Sequence, residues 1–319
     1  MHLMSHAKPL RTQRFYPSVV YLHRRFCYCV AVSIFLIGSV FGESIRLATY
    51  NLNNYLVTDR HVNGTWRPSY PKPEAEKAVV RRVIRQVLPD ILVVQEIGTL
   101  PFLKELKADL ELENIEYPYT IHMEGSDPVR HMAVLTKLEP VEVVRHQNLN
   151  FTYRGKRELV KRGMLELSFE QMDGAVFKLF VVHLKSRRTN IKADPESLQY
   201  RTSEAEACRD RIIERTFRMD ITDFIVAGDF NDHPASAPLR RFYKRGKQKL
   251  GDLVFATDSR GERWTHYYRK EATYSLVDGF IVSQSLSPKI KDNKGYIVDG
   301  PDVLEGSDHR MVYVDLLVH

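Results

Sequence analysis

Carboxylate, amide and imidazole side chains recur directly after apolar stretches of this sequence. In the clearest case, residues 224–227 form an uninterrupted apolar run that Gly228 and Asp229 follow, with Asn231 two positions further on. If the backbone stays extended, Asp229 and Asn231 point the same way and present a carboxylate and an amide to one ligand. Because an Asp after a strand is also an ordinary turn former, this stretch alone leaves a binding site and a plain turn open.

The same arrangement is repeated along the chain. The polar residues at or beside the end of an apolar run are Asn51, Glu96, His183, Asp229 with Asn231, Asp278, and Asp308 with His309. Unpartnered carboxylates are costly to bury, so several that converge indicate a bound metal ion or a shared proton. Carboxylate and amide oxygens are hard ligands, and the sequence offers few thiols or clustered imidazoles that suit zinc. The pattern therefore predicts Mg²⁺ or Mn²⁺ as the metal.

The elements that must position these residues are predicted from apolar periodicity. Strands are predicted at residues 45–50, 90–96, 131–136, 165–169, 176–184, 224–227, 275–283 and 311–317, and helices at 74–88, 101–112 and around 205–212. The first strand, helix and second strand make an α/β unit, whereas the later elements do not alternate regularly. We therefore predict the α/β class, with two mixed β-sheets packed as a sandwich and helices outside them.

Two early segments carry more detailed expectations. In the first helix, Ala75, Val79, Val83 and Val87 recur every four residues, which predicts that they form its buried face with Ala78 and Ile84 beside them. Residues 55–73 contain one glycine and three prolines, so no regular element is predicted there. This connection is long enough to be a functional lid, and a surface excursion fits equally well.

The first 42 residues have the layout of a secretory signal peptide. Residues 1–25 carry five basic residues and no acidic one, residues 26–41 are uncharged and largely apolar, and small residues follow. The apolar run is shorter than the ~20 residues that span a bilayer, so a retained anchor is the weaker interpretation. The sequence therefore predicts a secreted or periplasmic protein with one catalytic domain at residues 43–319.

Removing that segment changes the charge and the cysteine count. The whole chain has 47 Lys and Arg against 40 Asp and Glu, and residues 43–319 have 42 against 40. The basicity therefore gives no global indication of nucleic-acid binding, and only local basic clusters remain. Cys208 is the one thiol left, which excludes an internal disulfide. It lies on the apolar stripe of a predicted helix and is interpreted as a core residue.

The chain resembles the endonuclease/exonuclease/phosphatase superfamily, which has the fold of deoxyribonuclease I, exonuclease III and neutral sphingomyelinase. The resemblance rests on ordered motifs, which are TYNLN at 49–53, VQE at 94–96, HL at 183–184, GDFN at 228–231, VD at 277–278 and GSDH at 306–309. It implies a four-layer α/β sandwich. It also implies a divalent metal and hydrolysis of phosphodiesters or phosphomonoesters at one mouth of the sandwich.

The resemblance also implies roles for the metal ligands and the general base. Glu96 would hold the metal, with Asn51 and Asp308 assisting directly or through water. His309 would activate a water molecule as general base, and Asp278 would accept a hydrogen bond from its other ring nitrogen and fix its orientation. Many members have an arginine two positions before the aspartate and a tyrosine after it. Leucine and glycine stand there in this chain, which makes Asp278 the weakest of these assignments.

The remaining roles concern the phosphoryl group. His183 and Asn231 would stabilise charge on the phosphoryl oxygens, and Asp229 would orient the water or assist the leaving group. Arg162 is a further candidate to reach the phosphate. The alternatives are turn capping for Asn51 and Asn231, a satisfied core position for His183 and a solvated basic loop for Arg162.

The substrate is predicted less sharply than the reaction. Basic clusters at residues 81–85, 154–162, 185–188 and 240–249 favour a nuclease-like phosphodiesterase acting on nucleic acid, if they share the active face. The aromatic residues of 55–70 are the support for the alternative, a sphingomyelinase-like enzyme acting on a lipid phosphodiester. A third hypothesis is a non-catalytic secreted binding module on the same fold. The sequence indicates no obligate protein partner.

Overall fold

The computed structural model of this protein describes residues 44–171 and 174–318. The predicted signal segment, residues 1–42, lies outside the described residues, so its assignment stays a prediction. Across the two described ranges, no helix is both long enough and apolar enough to cross a membrane.

Thirteen strands in the described part of the chain build two large sheets. In chain order they are β1 (Ser44–Tyr55), β2 (Ile91–Ile97), β3 (Tyr119–Met123), β4 (His131–Thr136), β5 (Glu142–His146), β6 (Met164–Glu170), β7 (Val176–His183), β8 (Phe224–Asp229), β9 (Gly251–Leu253), β10 (Ala256–Thr257), β11 (Asp278–Ser283), β12 (Gly295–Ile297) and β13 (Val312–Leu317). The first sheet has the order β10-β12-β13-β1-β2-β4-β3, and the second has the order β9-β11-β8-β7-β6-β5.

Both sheets are mixed, as the sequence predicted. In the first sheet β1 runs parallel to β2 and antiparallel to β13. In the second sheet β8 runs parallel to β7 and antiparallel to β11. The end of each central strand therefore lies beside the end of its parallel neighbour and the start of its antiparallel neighbour. Polar residues from three adjacent strands can meet at that edge of each sheet.

Helices and hairpins complete the described fold. The α-helices are α1 (Glu74–Val87), α2 (Leu100–Leu112), α3 (Leu198–Arg215), α4 (Ala237–Tyr243) and α5 (Val303–Gly306). Single 3₁₀ turns lie at Pro195–Ser197, Phe217–Met219, Ser287–Lys289 and Lys291–Asn293. Two-stranded hairpins pair Thr58–Val62 with Thr65–Tyr70, Asn150–Tyr153 with Lys156–Leu159, Lys244–Arg245 with Gln248–Lys249, and His266–Tyr268 with Thr273–Ser275.

Three apolar clusters arrange these elements in four layers. The central cluster lies between the sheets and combines residues such as Leu47 of the first sheet with Ile225 of the second. A second cluster packs α1 and α2 on the outer face of the first sheet. A third packs α3 and α4 on the outer face of the second sheet. This architecture confirms the predicted four-layer α/β sandwich of two mixed sheets flanked by helices.

Cys208 belongs to the third cluster and is fully buried on α3. Burial raises the pKa of its thiol far above the ordinary value, because a thiolate would have to form in an apolar environment. The thiol therefore stays protonated and unreactive. Its position agrees with the interpretation of Cys208 as a core residue.

The expectation that residues 55–73 form no regular element is wrong. The hairpin of Thr58–Val62 and Thr65–Tyr70 occupies most of this segment. Asn63 and Gly64 both have positive φ, at 50° and 74°, as a two-residue Asn-Gly hairpin turn requires. The turn signal thus outweighed Pro68, which lies in an exposed two-stranded hairpin where a missing N–H costs little, while Pro71 and Pro73 follow the hairpin.

The buried face of α1 also differs from the expected one. Its buried residues are Val80, Val83, Ile84 and Val87, while Ala75 is exposed. These four follow the i, i+3, i+4, i+7 spacing of a helical face, whereas a strict repeat of four drifts around the helix. The expected face was therefore correct at the C-terminal end of the helix, at Val83 and Val87, and wrong at its N-terminal end, at Ala75.

The predicted strand at residues 275–283 is interrupted. Its first residue belongs to a separate hairpin, and β11 begins only at Asp278. The N–H groups of Val277 and Asp278 both donate to the Thr265 hydroxyl, over 3.0 and 3.1 Å. These N–H groups are therefore paired with a side chain rather than with a neighbouring strand, and the strand begins only at this point. The interruption makes Asp278 the first residue of a strand and places it at the edge of the second sheet.

Candidate active site

Three adjacent strands of the second sheet deliver polar side chains to one edge. Asp229 ends β8 and lies opposite His183, which ends β7, and opposite Asp278, which starts β11. All three residues are almost fully buried. The backbone register alone therefore brings together three of the residues that the sequence singled out.

Gly228 is required for this register. Its φ is +145°, and a Cβ at this position would lie 1.9 Å from the carbonyl oxygen of Val182 on the neighbouring strand. No residue with a side chain can adopt this arrangement without moving the strands apart. The strand continues through Gly228 to Asp229, so the glycine permits close strand approach and does not end the strand in a turn.

Asp229 accepts hydrogen bonds from both predicted amides. The side chains of Asn51 and Asn231 donate to its Oδ2 over 3.0 and 3.1 Å, and the Asn231 main-chain N–H donates to its Oδ1 over 2.8 Å. Asn231 has φ of +53°, so the expectation of an extended chain after Asp229 is wrong. A local turn, rather than strand geometry, returns the amide to the carboxylate. The two alternatives that the sequence left open, a binding site and a plain turn, therefore describe the same structure.

His183 completes the surroundings of Asp229. Its Nε2 lies 3.5 Å from Asp229 Oδ2, and its Nδ1 is buried without a hydrogen-bond partner in the described residues. Burial, followed by the positive charge of Arg162, lowers the pKa of His183 well below its ordinary value. A histidine with an unused ring nitrogen does not fit the alternative of a satisfied core position.

His309 and Asp278 form a buried pair. The His309 Nδ1 lies 2.8 Å from Asp278 Oδ2, while Asp278 Oδ1 is buried without a partner in the described residues. The Ser307 hydroxyl fixes the loop, because it donates to the Asn51 carbonyl over 2.7 Å and accepts the His309 N–H over 3.0 Å. Because Asp278 occupies Nδ1 of His309, the other ring nitrogen, Nε2, is the one that can contact a water molecule or a substrate atom. The unpaired oxygen is the kind of buried atom that a ligand satisfies.

The charges of this edge are strongly coupled. Burial, followed by repulsion from Asp278, raises the pKa of Asp229 to about 7. Burial works against the charge on His309, but attraction by Asp278 and then by Asp229 outweighs it and raises that pKa to about 10. Two carboxylates therefore share one imidazolium, and a proton on Asp229 near neutral pH relieves their repulsion.

The first sheet delivers the three predicted metal ligands to its own edge. Asn51 lies on β1, Glu96 on β2, and Asp308 in the loop that enters β13, and these strands are neighbours in the order β13-β1-β2. Glu96 has φ of +58° at a break in the pairing of β2 with both adjacent strands. Its carboxylate accepts the Asn54 N–H over 3.0 Å and lies 3.8 Å from Arg130 Nε. Backbone strain of this kind is concentrated at functional sites.

The donor set fits a divalent cation. Asn51, Glu96 and Asp308 offer amide and carboxylate oxygens, which Mg²⁺ and Mn²⁺ prefer. Two groups of described side chains have ligand atoms that all lie within 4.8 Å of one another, namely His266, Asp308 and His309, and Asp229, Asp278 and His309. Glu96 belongs to neither group. The fold therefore places Asp308 close to His266 and His309. It brings Asn51 and Glu96 to the same edge of the first sheet, on the neighbouring strands β1 and β2.

His266 is a site residue that sequence reasoning missed. Its ring lies 4.5 Å from the ring of His309, and its Nε2 lies 3.8 Å from Asp308 Oδ2. Burial raises the pKa of Asp308, but the nearby His266 ring and the charge of His309 outweigh it and lower that pKa. His266 lies in a hairpin away from any apolar run, so no local signal marks it. The expectation of few clustered imidazoles is wrong at this point.

The basic clusters differ in how far their charge is neutralised. Arg81 makes ion pairs with three carboxylates of α1 and α2, and the 240–249 segment likewise pairs with acidic neighbours. Arg162 also has an acidic partner, since its Nη2 lies 3.1 Å from Asp127, but it borders the site, with its Nη1 donating to the Leu184 carbonyl over 3.4 Å. It is only 6% exposed, so the alternative of a solvated loop is wrong for this residue. Arg162 therefore borders the site, and Lys185 lines the same pocket as Arg162.

Comparisons with known proteins agree with the described fold. The sequence model of the Endonuclease/Exonuclease/phosphatase family matches residues 48–309. No curated protein matches the chain in sequence. Among solved structures, an endonuclease/exonuclease/phosphatase from Bacteroides vulgatus is 17% identical with a TM-score of 0.58, and the match covers 86% of this chain and 99% of that one.

Two further structures have the same fold. The human Nocturnin catalytic domain, solved with a bound sulfate anion, is 16% identical with a TM-score of 0.55, and the match covers 86% of this chain and 94% of that one. A beta toxin variant from Staphylococcus aureus, solved with bound magnesium ions, is 10% identical with a TM-score of 0.57, and the match covers 85% and 99%. At these identities the likeness shows the fold alone.

Proposed function

The chain belongs to the endonuclease/exonuclease/phosphatase family, one of hydrolytic phosphoesterases, and from that premise we propose that it is a divalent-metal-dependent phosphodiesterase of the nuclease type. The observation that carries the proposal is the buried pair of His309 and Asp278 beside a second carboxylate, Asp229. A histidine held through one ring nitrogen presents the other to a reacting water. A beta toxin variant of the same fold was solved with bound magnesium ions and the Nocturnin catalytic domain with a bound sulfate anion, which supports a cation and a tetrahedral anion as ligands of this chain.

In this mechanism, hydrolysis forms a bond from the water oxygen to phosphorus and breaks the ester P–O bond. His309 takes the proton of the water through Nε2, and Asp278 holds the ring in the orientation and tautomer that this step needs. Asp229 has a pKa near neutrality, at about 7, so it can supply a proton to the leaving oxygen. The amide of Asn231 and the neutral ring of His183 line the path of the phosphoryl oxygens.

Asn51, Glu96 and Asp308 would hold the cation. When bound, the cation supplies positive charge that polarises the phosphoryl oxygens and favours the neutral form of His309. Without it, the three acidic groups around His309 keep its pKa at about 10 and the ring protonated at neutral pH.

A lipid phosphodiester is the second candidate substrate. The hairpin of Thr58–Val62 and Thr65–Tyr70 presents Trp66, which is 59% exposed, and Val57, directly before the hairpin, is 43% exposed. Exposed aromatic and aliphatic side chains on a protruding hairpin fit insertion into a membrane interface. The nuclease reading is preferred because the site itself is bordered by basic residues.

The proposal includes export. Residues 1–42 combine a basic stretch, an apolar run and small residues in the order of a signal peptide. The test is the intact mass of the protein recovered after expression with a secretion system. A mass that corresponds to loss of about the first 42 residues supports export, and an intact N terminus on a cell-associated protein contradicts it.

The activity test compares four substrates: plasmid DNA, bis-p-nitrophenyl phosphate, p-nitrophenyl phosphate and sphingomyelin. Each is incubated with the purified protein in Mg²⁺, in Mn²⁺ and in EDTA, and with the variant His309→Ala. Metal-dependent DNA cleavage that the variant loses is the expected result. Turnover of sphingomyelin alone would favour the lipid enzyme, and no turnover under any condition would favour a non-catalytic binding module.

A further inference from the structure

A basic pocket of about 300 Å³ borders the candidate site. Its lining includes five basic side chains and one acidic one, which are Arg130, Lys161, Arg162, Lys185, Arg188 and Asp127. The volume is at the lower end of the roughly 300–1,000 Å³ that small-ligand pockets occupy. A pocket of this size and charge fits a small anion better than an apolar ligand.

The positive charge of this pocket is only partly neutralised. Arg162 Nη2 lies 3.1 Å from Asp127, and Arg130 Nε lies 3.8 Å from the site carboxylate Glu96. Within residues 44–171 and 174–318, the other three basic side chains have no ion pair with a carboxylate. In addition, Arg162 Nε is buried without a hydrogen-bond partner in the described residues. The pocket thus has excess charge and an unused donor in its lining.

A buried carboxylate builds the pocket through the main chain. Glu204 of α3 accepts the N–H of Lys161 over 2.8 Å and the N–H of Lys185 over 2.7 Å. It therefore ties two segments together while leaving both lysine side chains out of the contact. Gly125 packs directly against the Arg162 main chain, since a Cβ there would lie 2.4 Å from the Arg162 carbonyl carbon. The backbone that carries Lys161 and Lys185 is consequently fixed, and Lys185 Nζ donates to the Ser186 carbonyl over 2.9 Å.

The pocket and the candidate site share two connections. Arg130 lies in the pocket and approaches Glu96 at the site. The Leu184 carbonyl accepts both Arg162 Nη1 from the pocket, over 3.4 Å, and Asn231 Nδ2 from the site, over 3.0 Å. A substrate whose ester lies against Asn231 therefore has the basic pocket next to it.

We propose that this pocket binds a second phosphate group of the substrate, one beyond the ester that is hydrolysed. The inference rests on the proposed phosphodiesterase function and narrows its substrates to nucleotide-like compounds that carry a further phosphate. Arginine and lysine donors on several sides match a tetrahedral dianion, whereas a neutral sugar or lipid tail would leave their charges unmatched.

The test uses three chromogenic esters with the same leaving group. The first is thymidine 5′-(p-nitrophenyl phosphate), the second carries an added 3′-phosphate, and the third carries that 3′-phosphate as its methyl ester. The readout is the ratio of kcat/KM between the second ester and the first. We expect a preference of roughly tenfold to a hundredfold for the second ester, since a charge-assisted contact to phosphate has that magnitude.

The variants are Lys161→Met and Arg188→Met, singly and together, in the full chain. The Lys161 side chain makes only a distant contact with the Tyr200 ring, and Arg188 is exposed, so neither substitution removes a fold contact. We expect the double variant to bring the ratio close to one. The control is Lys247→Met, an exposed lysine of a basic segment outside the pocket, which should keep the wild-type ratio.

Equal kcat/KM for the first two esters, or a preference that the double variant keeps, would overturn the pocket while leaving the phosphodiesterase function in place. With the preference and its loss observed, the third ester identifies the source. Preference retained for the methyl ester assigns the pocket to an internal phosphate of a strand, and preference lost assigns it to a terminal phosphate.

A separate measurement applies if no ester is hydrolysed with any metal, which would contradict the proposed function. Calorimetry then measures binding of thymidine 3′,5′-bisphosphate in EDTA to the wild type and to the double variant. Binding that the double variant loses supports the pocket independently of activity. Absent binding, or equal binding by both proteins, overturns it.

Discussion

Two buried histidine–carboxylate pairs in this molecule have nearly the same geometry and opposite surroundings. His309 lies 2.8 Å from Asp278 at the candidate site, and His146 lies 2.7 Å from Glu166 on the outer face of the second sheet. Both carboxylates are buried. The difference between the pairs is therefore in what the other atoms of each group contact.

Around Glu166 the partners are complete. Lys178 donates to Glu166 over 2.8 Å, to Ser168 over 2.9 Å and to Glu142 over 3.0 Å, and Arg215 donates to both Glu166 oxygens over 2.9 Å. Two basic side chains thus face two carboxylates, and Arg211 occupies the remaining nitrogen of the histidine. No side-chain atom of this network is among the unpartnered buried atoms of the described residues.

At the candidate site the partners are incomplete. Asp278 Oδ1 and His183 Nδ1 are buried without hydrogen-bond partners in the described part of the chain. In addition, the carboxylates of Asp278 and Asp229 both lie close to the His309 ring. Unpaired polar atoms and like charges cost stability, so they persist where a ligand completes them. A structural histidine therefore differs from a reactive one in whether the polar atoms around the histidine–carboxylate pair all have partners, and not in the pair itself.

The largest expected effect is the loss of hydrolysis on breaking the pair at the site. Asp278→Asn keeps the shape of the side chain but removes the charge that orients His309, so we expect kcat on plasmid DNA or bis-p-nitrophenyl phosphate to fall by about 10²- to 10⁴-fold. The matched control is His146→Gln, which should hydrolyse at the wild-type rate. Equal losses in both variants would show that the two pairs do not differ in function.

The next effect is the loss of stability on breaking the structural pair. Glu166→Gln leaves Lys178 and Arg215 with a buried charge that has lost its main partner, so we expect the free energy of unfolding to fall by about 3–5 kcal/mol. Urea denaturation followed by circular dichroism measures it. Asp278→Asn serves as the comparison and should lose much less. A stability loss as large in Asp278→Asn would contradict the distinction.

A metal should stabilise one region and not the other. At a hundredfold excess over its dissociation constant, Mg²⁺ should raise the free energy of unfolding by about 2.7 kcal/mol, because it binds the folded state alone. Thermal melts with and without Mg²⁺ measure this in the wild type, in Glu96→Gln and in Glu166→Gln. The increase should vanish in Glu96→Gln and persist in Glu166→Gln. An undiminished increase in Glu96→Gln would remove this residue from the metal site.

The smallest effect is a pH dependence that belongs to the structural network. The hydrogen bond from Lys178 lowers the pKa of Glu142 from 4.5 to about 2, and Glu166 is also lowered, since its bonds to His146 and Lys178 outweigh burial. A depressed acid stabilises the fold fully above its unfolded pKa and loses that contribution as pH falls through the folded one. Stability should therefore decrease from pH 4.5 towards 2.

Denaturation curves at pH 5, 4 and 3 check this dependence, and Glu142→Gln should flatten it. The carboxylate of Glu142 reaches the surface, so the substitution itself is tolerated by the fold. An unchanged slope in Glu142→Gln would mean that other acids carry the effect.

The strand ends could be predicted because their cause is local. Buried strands such as Phe224–Asp229 appear in the sequence as apolar runs, and the parallel and antiparallel pairing of neighbours then carries Asp229, His183 and Asp278 to one edge. The order of motifs along the chain added the partners from the first sheet. The fold class and most members of the candidate site were therefore predictable.

The remaining features depend on contacts between distant segments. His266 reaches Asp308 only because its hairpin folds back on the loop before β13, and nothing near it in the sequence indicates this. The saturated network arises because Arg215, at the end of α3, reaches β6 and supplies charge to Glu166. The positive φ of Asn231 also has no signal beyond its residue type. The periodicity of apolar residues thus predicts where strands end, but it does not predict which side chains from distant segments contact each other.

The way Glu204 holds the basic pocket has a consequence for how this protein can change. Because the carboxylate grips main-chain N–H groups at residues 161 and 185, any residue except proline at these two positions keeps the same anchoring. Side chains facing the neighbouring part of a substrate can thus vary during evolution or in the laboratory while the scaffold of the reacting groups stays in place. Substrate preference and catalytic geometry are in this respect separately heritable properties of one fold.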